Sequence, residues 1–278
     1  MIHFPITNTF EKDNFIEFSH YDCDASAGTW RKENKIILDS VKINVFVGGV
    51  YSVFSDGVLH RPTYGDISVF PPMKMHYGQI TEATHTNYYQ LDIGRSTFSA
   101  IPDGDSLIER LIEQTTHSNS FVRPSANNRD GVLKLCNEIE EAIKREELAL
   151  AFAKTVEFVA FLCPLYLSSA EVKSEHFSVR NTQIIRYVEK HFSEDITLEK
   201  LSEELGVSAS FLSRIFKKEV GISIHEYINQ YRILRSLSFL KTNSVTETGY
   251  LCGFSDTSHF ISVFKKHIKT TPMQYKLK

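Results

Sequence analysis

Between residues 35 and 95 the chain runs in short stretches rich in Val, Ile, Phe and Tyr, KIILDSVKINVFVGGVYSVF and DISVFPPMKMHYGQI. Gly-Gly, Asp-Gly and Pro-Pro pairs interrupt them, and branched or aromatic runs punctuated by turn formers predict short strands. Asp56-Gly57, between VYSVF and VLHRP, suits a hairpin because glycine takes positive φ without steric cost. Short strands at this spacing predict a small β-sandwich or barrel. Past residue 104 the spacing turns helical. SLIERLIEQ sets Leu107, Ile108, Leu111 and Ile112 on one face, and Val132, Cys136, Ile139 and Ile143 recur at threes and fours. Leu148 to Leu162 is apolar over a wider arc, as expected of a helix that buries two faces. The predicted class is α+β, with strands first and helices after.

A polar segment, SSAEVKSEHFSVR at 168–180, follows Pro164 and is the expected linker between an N-terminal domain, 1–167, and a C-terminal domain, 181–278. The second of these contains a repeat. SASFLSRIFKK, ending at Lys218, matches DTSHFISVFKK, ending at Lys266, at an offset of 48, and the match resumes at Tyr227 and Tyr275. Just upstream LSEELGVS, from Leu201, aligns with TGYLCGFS, from Thr248, at an offset of 47. A module has been duplicated.

Each copy reads as a helix, a glycine turn and a capped second helix, the order of a helix-turn-helix, over 197–218 and 245–266. In the first, Leu198, Leu201 and Leu205 face inward, Gly206 turns the chain, and Ser208 caps a helix that buries Leu212, Ile215 and Phe216. Ser210, Ser213, Arg214 and Lys217 are left outward. In the second, Gly253 turns the chain and Asp256 caps a helix that buries Phe260, Val263 and Phe264. Thr257, Ser258, Ile261, Ser262 and Lys265 stand on its outer side. Outward residues near the start of such a helix can reach base edges in the major groove. Ile224 to Leu240, with Tyr227, Tyr231, Leu234 and Leu237 at threes and fours, predicts one long helix holding the copies apart.

Composition narrows the picture further. With 278 residues, 42% hydrophobic and 23% charged, the chain is long enough for two globular domains. Its net charge of -3 hides a split: from Ser178 onward there are 15 Lys+Arg against 10 Asp+Glu, and from Leu205 onward 11 against 4. A basic C-terminal part and an acidic remainder want different partners, the first of them double-stranded DNA. Four scattered cysteines without a C-x-x-C pair fit a reducing cytoplasm and no metal site. The N-terminus lacks the basic and apolar regions of a secretory peptide, and Leu148 to Leu167 carries Lys154, Glu157 and Pro164, so no membrane partner is expected.

The C-terminal motifs resemble the AraC/XylS family of bacterial transcription regulators. The resemblance rests on ITLEKLSEELGVSASFLSRIFKKEVGISIHEYINQYRILRSLSFL and SVTETGYLCGFSDTSHFISVFKKHIKTTPMQY, and covers about Ile184 to Tyr275. It implies DNA contact by the outward faces named above, with Lys217, Lys218, Lys265 and Lys266 on phosphates rather than bases. More loosely, YGDISVFPPMKMHYG resembles the cupin-like sensor domain of many members, which implies a small-molecule effector. For an activator it also implies RNA polymerase as a partner. Two positions depart from the family pattern. Thr248-Gly249 stands where a large aliphatic and Ala are usual, which predicts a less stable second module, and Ser262 replaces the arginine found at Arg214 in the first.

His20, Trp30, Arg31, His60, Tyr64, His76, Tyr88 and Tyr89 are the polar and aromatic groups of the N-terminal half that could line a sensor pocket, with Trp30, Arg31, His60, Tyr64, His76 and Tyr89 the expected effector-binding residues. A sugar needs an aromatic platform, and Trp30 is the single tryptophan. Resemblance to sugar-sensing members makes a small carbohydrate the first candidate. His76 and His85 lack the H-x-H spacing of a metal-binding cupin, so neither metal, cofactor nor catalytic residue is expected. Helices over 131–145 and 148–167 are a candidate homodimer face, or pack within the domain. Two other readings stay open: a regulator driven by a protein partner or acting constitutively, and a cupin enzyme with a DNA-binding tail.

Overall fold

The structure is a computed structural model. It describes the chain apart from residues 1, 6–14, 26–39, 50, 56–57, 73, 81, 118–119, 169, 172–173, 177–178 and 278. Trp30, Arg31 and the Asp56-Gly57 turn therefore lie outside the described residues. Apart from short segments, the chain forms two compact units that divide between Ser174 and Glu175.

The first 176 residues are rich in strands: β1 (Ile2–Pro5), β2 (Ile16–Ala25), β3 (Ser40–Gly48), β4 (Tyr51–Ser55), β5 (Val58–His60), β6 (Ile67–Phe70), β7 (His76–Ile80) and β8 (Thr84–Gly94). Helix α1 (Gly104–His117) follows, then β9 (Phe121–Arg123), α2 (Ala126–Lys144), α3 (Leu148–Ser168), β10 (Ala170–Glu171) and β11 (Ser174–His176). One sheet has the order β1-β2-β8-β3-β6-β9-β10, and β4 pairs antiparallel with β7 in another. The polar segment 168–180 holds two short strands; β10 joins the sheet edge through Ala170 opposite Arg123.

Strand alternation explains how this sheet serves two cores. On β3, Val41, Ile43 and Val45 are fully buried on one face, together with Ile16, Phe18, Leu91 and Ile93 of its neighbours. Against them pack Ile108 and Leu111 of α1, Val132, Cys136 and Ile139 of α2, and Phe158 and Leu162 of α3. The helix faces read from spacing are thus the buried ones. Helix α3 is long and apolar enough to cross a membrane by length and composition; Ala151, Phe158, Val159 and Leu162 instead sit in this core. On the other face of the sheet, Phe46 and Phe121 join Tyr51, Val53, Phe70 and Ile80 in an aromatic cluster between the two sheets.

The second unit is helical: α4 (Val179–His191), α5 (Leu198–Leu205), α6 (Ala209–Val220), α7 (Ile224–Phe239), α8 (Val245–Leu251), α9 (Thr257–Ile268) and α10 (Pro272–Lys276). Its core is built from Ile184, Val188, Leu201, Leu212, Phe216, Ile233, Phe260 and Phe264, all fully buried. A strand-rich N-terminal region and a helical C-terminal one make the chain α+β, as its patterning predicts.

Candidate nucleic-acid interface

Helix α5 begins at Thr197, whose side chain accepts from Lys200 N, and ends at Gly206 with φ of 64°. The left-handed turn is open to a glycine without strain, and it redirects the chain into α6. Ser208 caps α6 by accepting from Phe211 N at 3.3 Å. The inward set is buried at Leu212 and Phe216, while Leu198, Leu205 and Ile215 are half-buried at the margin. From α4, Arg180 Nη1 donates to Leu205 O at 2.9 Å and Asn181 Nδ2 to Glu219 Oε2 at 2.7 Å, tying both helices of the module to the helix that precedes them.

Outside, Ser208, Ser210, Arg214, Lys217 and Lys218 are exposed and Ser213 is half-buried. Among the described residues Arg214 makes one long contact, Nε to Ser210 O at 3.4 Å along its own helix, and the residue is exposed, so its guanidinium keeps donors for another partner. One residue of this face escaped the sequence reading. Phe211 is 40% exposed, one turn before Arg214. A phenylalanine in an apolar period is assigned to the core by default; the signal that it is not lies in Leu212 and Phe216, which already fill the inward arc.

The second module repeats the plan. Ser244 and Glu247 form a reciprocal capping box at the start of α8, with Ser244 N donating to Glu247 Oε2 at 2.9 Å. The turn Gly253 has φ of 83°, and Asp256 caps α9 by accepting from His259 N at 2.7 Å. Phe260, Val263 and Phe264 are buried; Asp256, Ser258, Ser262 and Lys265 are exposed, and Thr257 and Ile261 half-buried. Lys266 is exposed but committed: its Nζ donates to both oxygens of Glu226 at 2.9 Å. Sequence spacing along α9 could not reveal that partner, which stands on α7.

Thr248 and Gly249 are both buried in α8, and the reason for the glycine is Phe260. A Cβ at position 249 would lie 3.2 Å from Phe260 Cδ1, so the ring occupies the space an alanine would need. Thr248 carries a different cost, since its hydroxyl is buried without a hydrogen-bond partner. Replacing it by the near-isosteric Val removes a desolvated group and is expected to stabilise the C-terminal unit by about 1 kcal/mol. Chemical denaturation followed by circular dichroism measures this; an unchanged or lowered midpoint would show that the hydroxyl is solvated after all.

The candidate effector residues do not form one constellation. Tyr89 hydroxyl donates to Asn137 Oδ1 at 2.7 Å, and its ring stacks on His20 at 4.2 Å. Both border a cavity of about 520 Å³ beside α2, with Asp22, Glu140 and Lys144. Tyr64 is 52% exposed under Arg129, on a groove of about 740 Å³ that runs past Leu133 and Asn137 to Leu150. Tyr88 stacks on Tyr21 at 4.6 Å. His60 and His76 belong elsewhere, at the aromatic cluster: His60 stacks on Phe121 and His76 on Phe70, each at 4.0 Å. His60 Nδ1 is buried there without a partner, and so, elsewhere in the unit, are the hydroxyls of Ser55 and Ser120. Among the described residues no group of three or more His, Cys, Asp or Glu is placed to hold a metal ion.

Burial, with a smaller push from Lys74, holds the His60 pKa down to about 4, and burial beside Lys42 holds His76 down to about 3. A folded pKa below the unfolded value means that unfolding takes up a proton. The neutral rings therefore contribute fully above pH 6.5, and that contribution is lost as pH falls from 6.5 toward 4. For His60 the expected loss is about 1.4 kcal/mol per pH unit within this window. Thermal melts at pH 7 and pH 5 test it: the His60→Gln variant should show a shallower pH dependence than the parent, and equal slopes would refute the assignment.

A family model described as a helix-turn-helix domain matches residues 201–278. The HTH-type transcriptional activator RhaS of Enterobacter sp. (strain 638) is 26% identical over 164 residues, which are 58% of this chain and 59% of that protein. The chain thus spans less than two thirds of the length of the curated relatives it matches. Among solved structures, the C-terminal domain of the two-component response regulator yesN from Fusobacterium nucleatum is 34% identical, with 36% of this chain and 99% of that chain covered and a TM-score of 0.34. A transcriptional regulator of the AraC-type DNA-binding domain-containing proteins from Chromobacterium violaceum is 27% identical, with 35% and 89% covered and a TM-score of 0.34.

Proposed function

We propose that this chain, whose residues 201–278 match a helix-turn-helix domain, is a sequence-specific DNA-binding regulator of transcription of the AraC type, controlled by a small molecule held in its N-terminal unit. One observation carries the reading: α6 and α9 each follow a left-handed glycine turn, start at a side-chain cap, and leave Ser and Lys outward from a buried apolar face, with Arg214 added on α6 alone. Such a helix fits the major groove, with cap-side residues at base edges and later lysines at phosphates.

In this assignment Arg214 takes a guanine by two hydrogen bonds and Phe211 packs on a thymine methyl one turn earlier. Ser210, Ser213, Ser258, Ile261 and Ser262 complete the base-facing surface, while Ser208, Asp256 and Thr257 set the helix starts. Lys217, Lys218 and Lys265 neutralise phosphates; Lys266 would first have to leave Glu226. RhaS, one of the relatives named above, is a transcriptional activator, so activation, with RNA polymerase as the protein partner, is the sign we assign. The work of such a protein lies in the bacterial cytoplasm.

For the effector, the reading favours the interior of a cupin-like N-terminal domain. The unpaired Nδ1 of His60, whose ring stacks on Phe121 next to Phe70, supplies the mixture of apolar surface and few fixed hydrogen-bond partners that small-molecule sites use. The groove along α2 and α3, with Leu150 exposed, is the face assigned to a second copy of the chain. Selection from a random duplex library with the intact chain tests the whole, repeated with and without a metabolite panel. Enrichment of a sequence with two protected segments is the expected result; uniform binding to bulk DNA at raised salt would sink it.

A further inference from the structure

Two side chains of α7 reach across to its neighbours in a way that the helix pattern alone does not require. Arg232 donates through Nε to Phe192 O at 2.8 Å and through Nη2 to Glu194 O at 2.6 Å. These residues follow the end of α4, where a helix leaves carbonyls unsatisfied. The same guanidinium lies 5.6 Å from the ring centroid of Phe254, next to the Gly253 turn of the second module. A Cβ on Gly253 would fall 2.5 Å from Phe192 O and 3.0 Å from Arg232 Nη2. A single backbone carbonyl therefore meets the connecting helix and the turn of the second module at once. Phe192 is packed from the α7 side as well, 5.6 Å from the Tyr231 ring and 5.6 Å from the Arg235 guanidinium.

A second tie stands on the first turn of α7. Glu226 accepts both hydrogen bonds from Lys266 in the last turn of α9 and lies 3.5 Å from His267 Nε2. The helix that joins the modules is thus bonded to the end of α4 on the first module's side and to α9 on the second's. Rotation of α7 against α4 or α9 would break charge-assisted hydrogen bonds, which are stronger than neutral ones.

We propose that Arg232, clamped on Phe192 and Glu194 under the Gly253 turn and braced by the Glu226–Lys266 pair, is a positioning residue that fixes the separation and rotational phase of α6 and α9, so that the chain accepts two half-sites at one spacing only. This rests on the reading of α6 and α9 as DNA-contacting helices. The consequence is geometric. One inserted base pair moves the second half-site by ~3.4 Å and turns it by roughly 35°, which a jointed pair of modules can follow and a clamped pair cannot.

The probe is the duplex that the intact chain selects from a random library, compared with the same duplex carrying one extra base pair between its two protected segments. For the parent chain the insertion is expected to weaken binding by ~10-fold or more, the scale of a mismatched position. Arg232→Met, which removes every donor while keeping the stem, should bind a random-sequence duplex within ~2-fold of the parent and show an insertion penalty below ~3-fold. Glu226→Gln should move the penalty in the same direction. If Arg232→Met does not fold by circular dichroism, Arg232→Lys, with a single donor group, takes its place beside Glu226→Gln. Folded variants that keep the parent's full penalty overturn the proposal. A selected duplex with no insertion penalty in the parent overturns it alone, whereas failure to select any duplex overturns the DNA-reading premise beneath it.

Discussion

Truncating Phe260 to alanine is expected to destabilise the C-terminal unit by ~3–5 kcal/mol, the range for a fully buried aromatic. The ring is 0% exposed and stands 5.2 Å from Phe254 and 5.7 Å from Phe264, with Gly249 pressed against its edge. Glycine has no side chain to swing into the void, so relaxation would have to come from the α8 backbone, and most of the cavity should persist. Amides of α8 and α9 should lose hydrogen-exchange protection before those of α5 and α6, and the denaturation midpoint by circular dichroism should fall. A loss below ~1 kcal/mol would mean that the site collapses and that the tight Gly249 contact is not what holds the two helices together.

The second large effect concerns recognition rather than folding. Arg214→Ala should weaken binding to the selected duplex by ~10- to 100-fold, since a good bidentate arginine–guanine pair discriminates by about 1–3 kcal/mol. Binding to a random duplex should change far less, and the preference for guanine at one position should relax. Arg214 is exposed and makes no ion pair among the described residues, so its removal leaves no buried partner orphaned and the fold should be unaffected. Lys217→Ala is the control of opposite character: it should weaken all duplexes alike and lower the salt slope by about 1. Fluorescence anisotropy at two salt concentrations separates the two; an Arg214→Ala protein with unrelaxed base preference would remove Arg214 from the reading set.

Much of the helical half was legible because its signals are local. Ser208 and Asp256 each stand one residue before an apolar period, and a capping oxygen needs only the amide three residues ahead. Gly206 and Gly253 follow the last apolar residue of their helices, where a left-handed turn is the usual exit. The N-terminal half was less legible. Strands β1 and β2 escaped notice although β2 lies inside the sheet, because IEFSHYDCDA mixes polar with apolar residues at positions that the sheet buries. Ser19 is 3% exposed, and His20 is made tolerable in its place by Glu140 at 2.9 Å and Asn87 at 3.2 Å, 120 and 67 residues away. Trp30 and Arg31, offered as an effector platform, fall outside the described residues, and the remaining candidates divide between the α2 side and the aromatic cluster.

What the sequence determined by itself was whatever depends on neighbours three or four residues away: helix faces, caps, glycine turns, the duplicated module and the basic surface gathered toward its end. What only the tertiary structure decided was which side chains find partners across the fold. Lys266 reads as one more phosphate contact until Glu226 is seen beside it, Gly249 reads as a weak helix former until the Phe260 ring fills its place, and the partners of Arg232 are known only once Phe192 and Glu194 present their carbonyls to it. Each of these depends on a contact between positions 11 to 40 residues apart, and no periodicity along the chain encodes which distant residue will arrive.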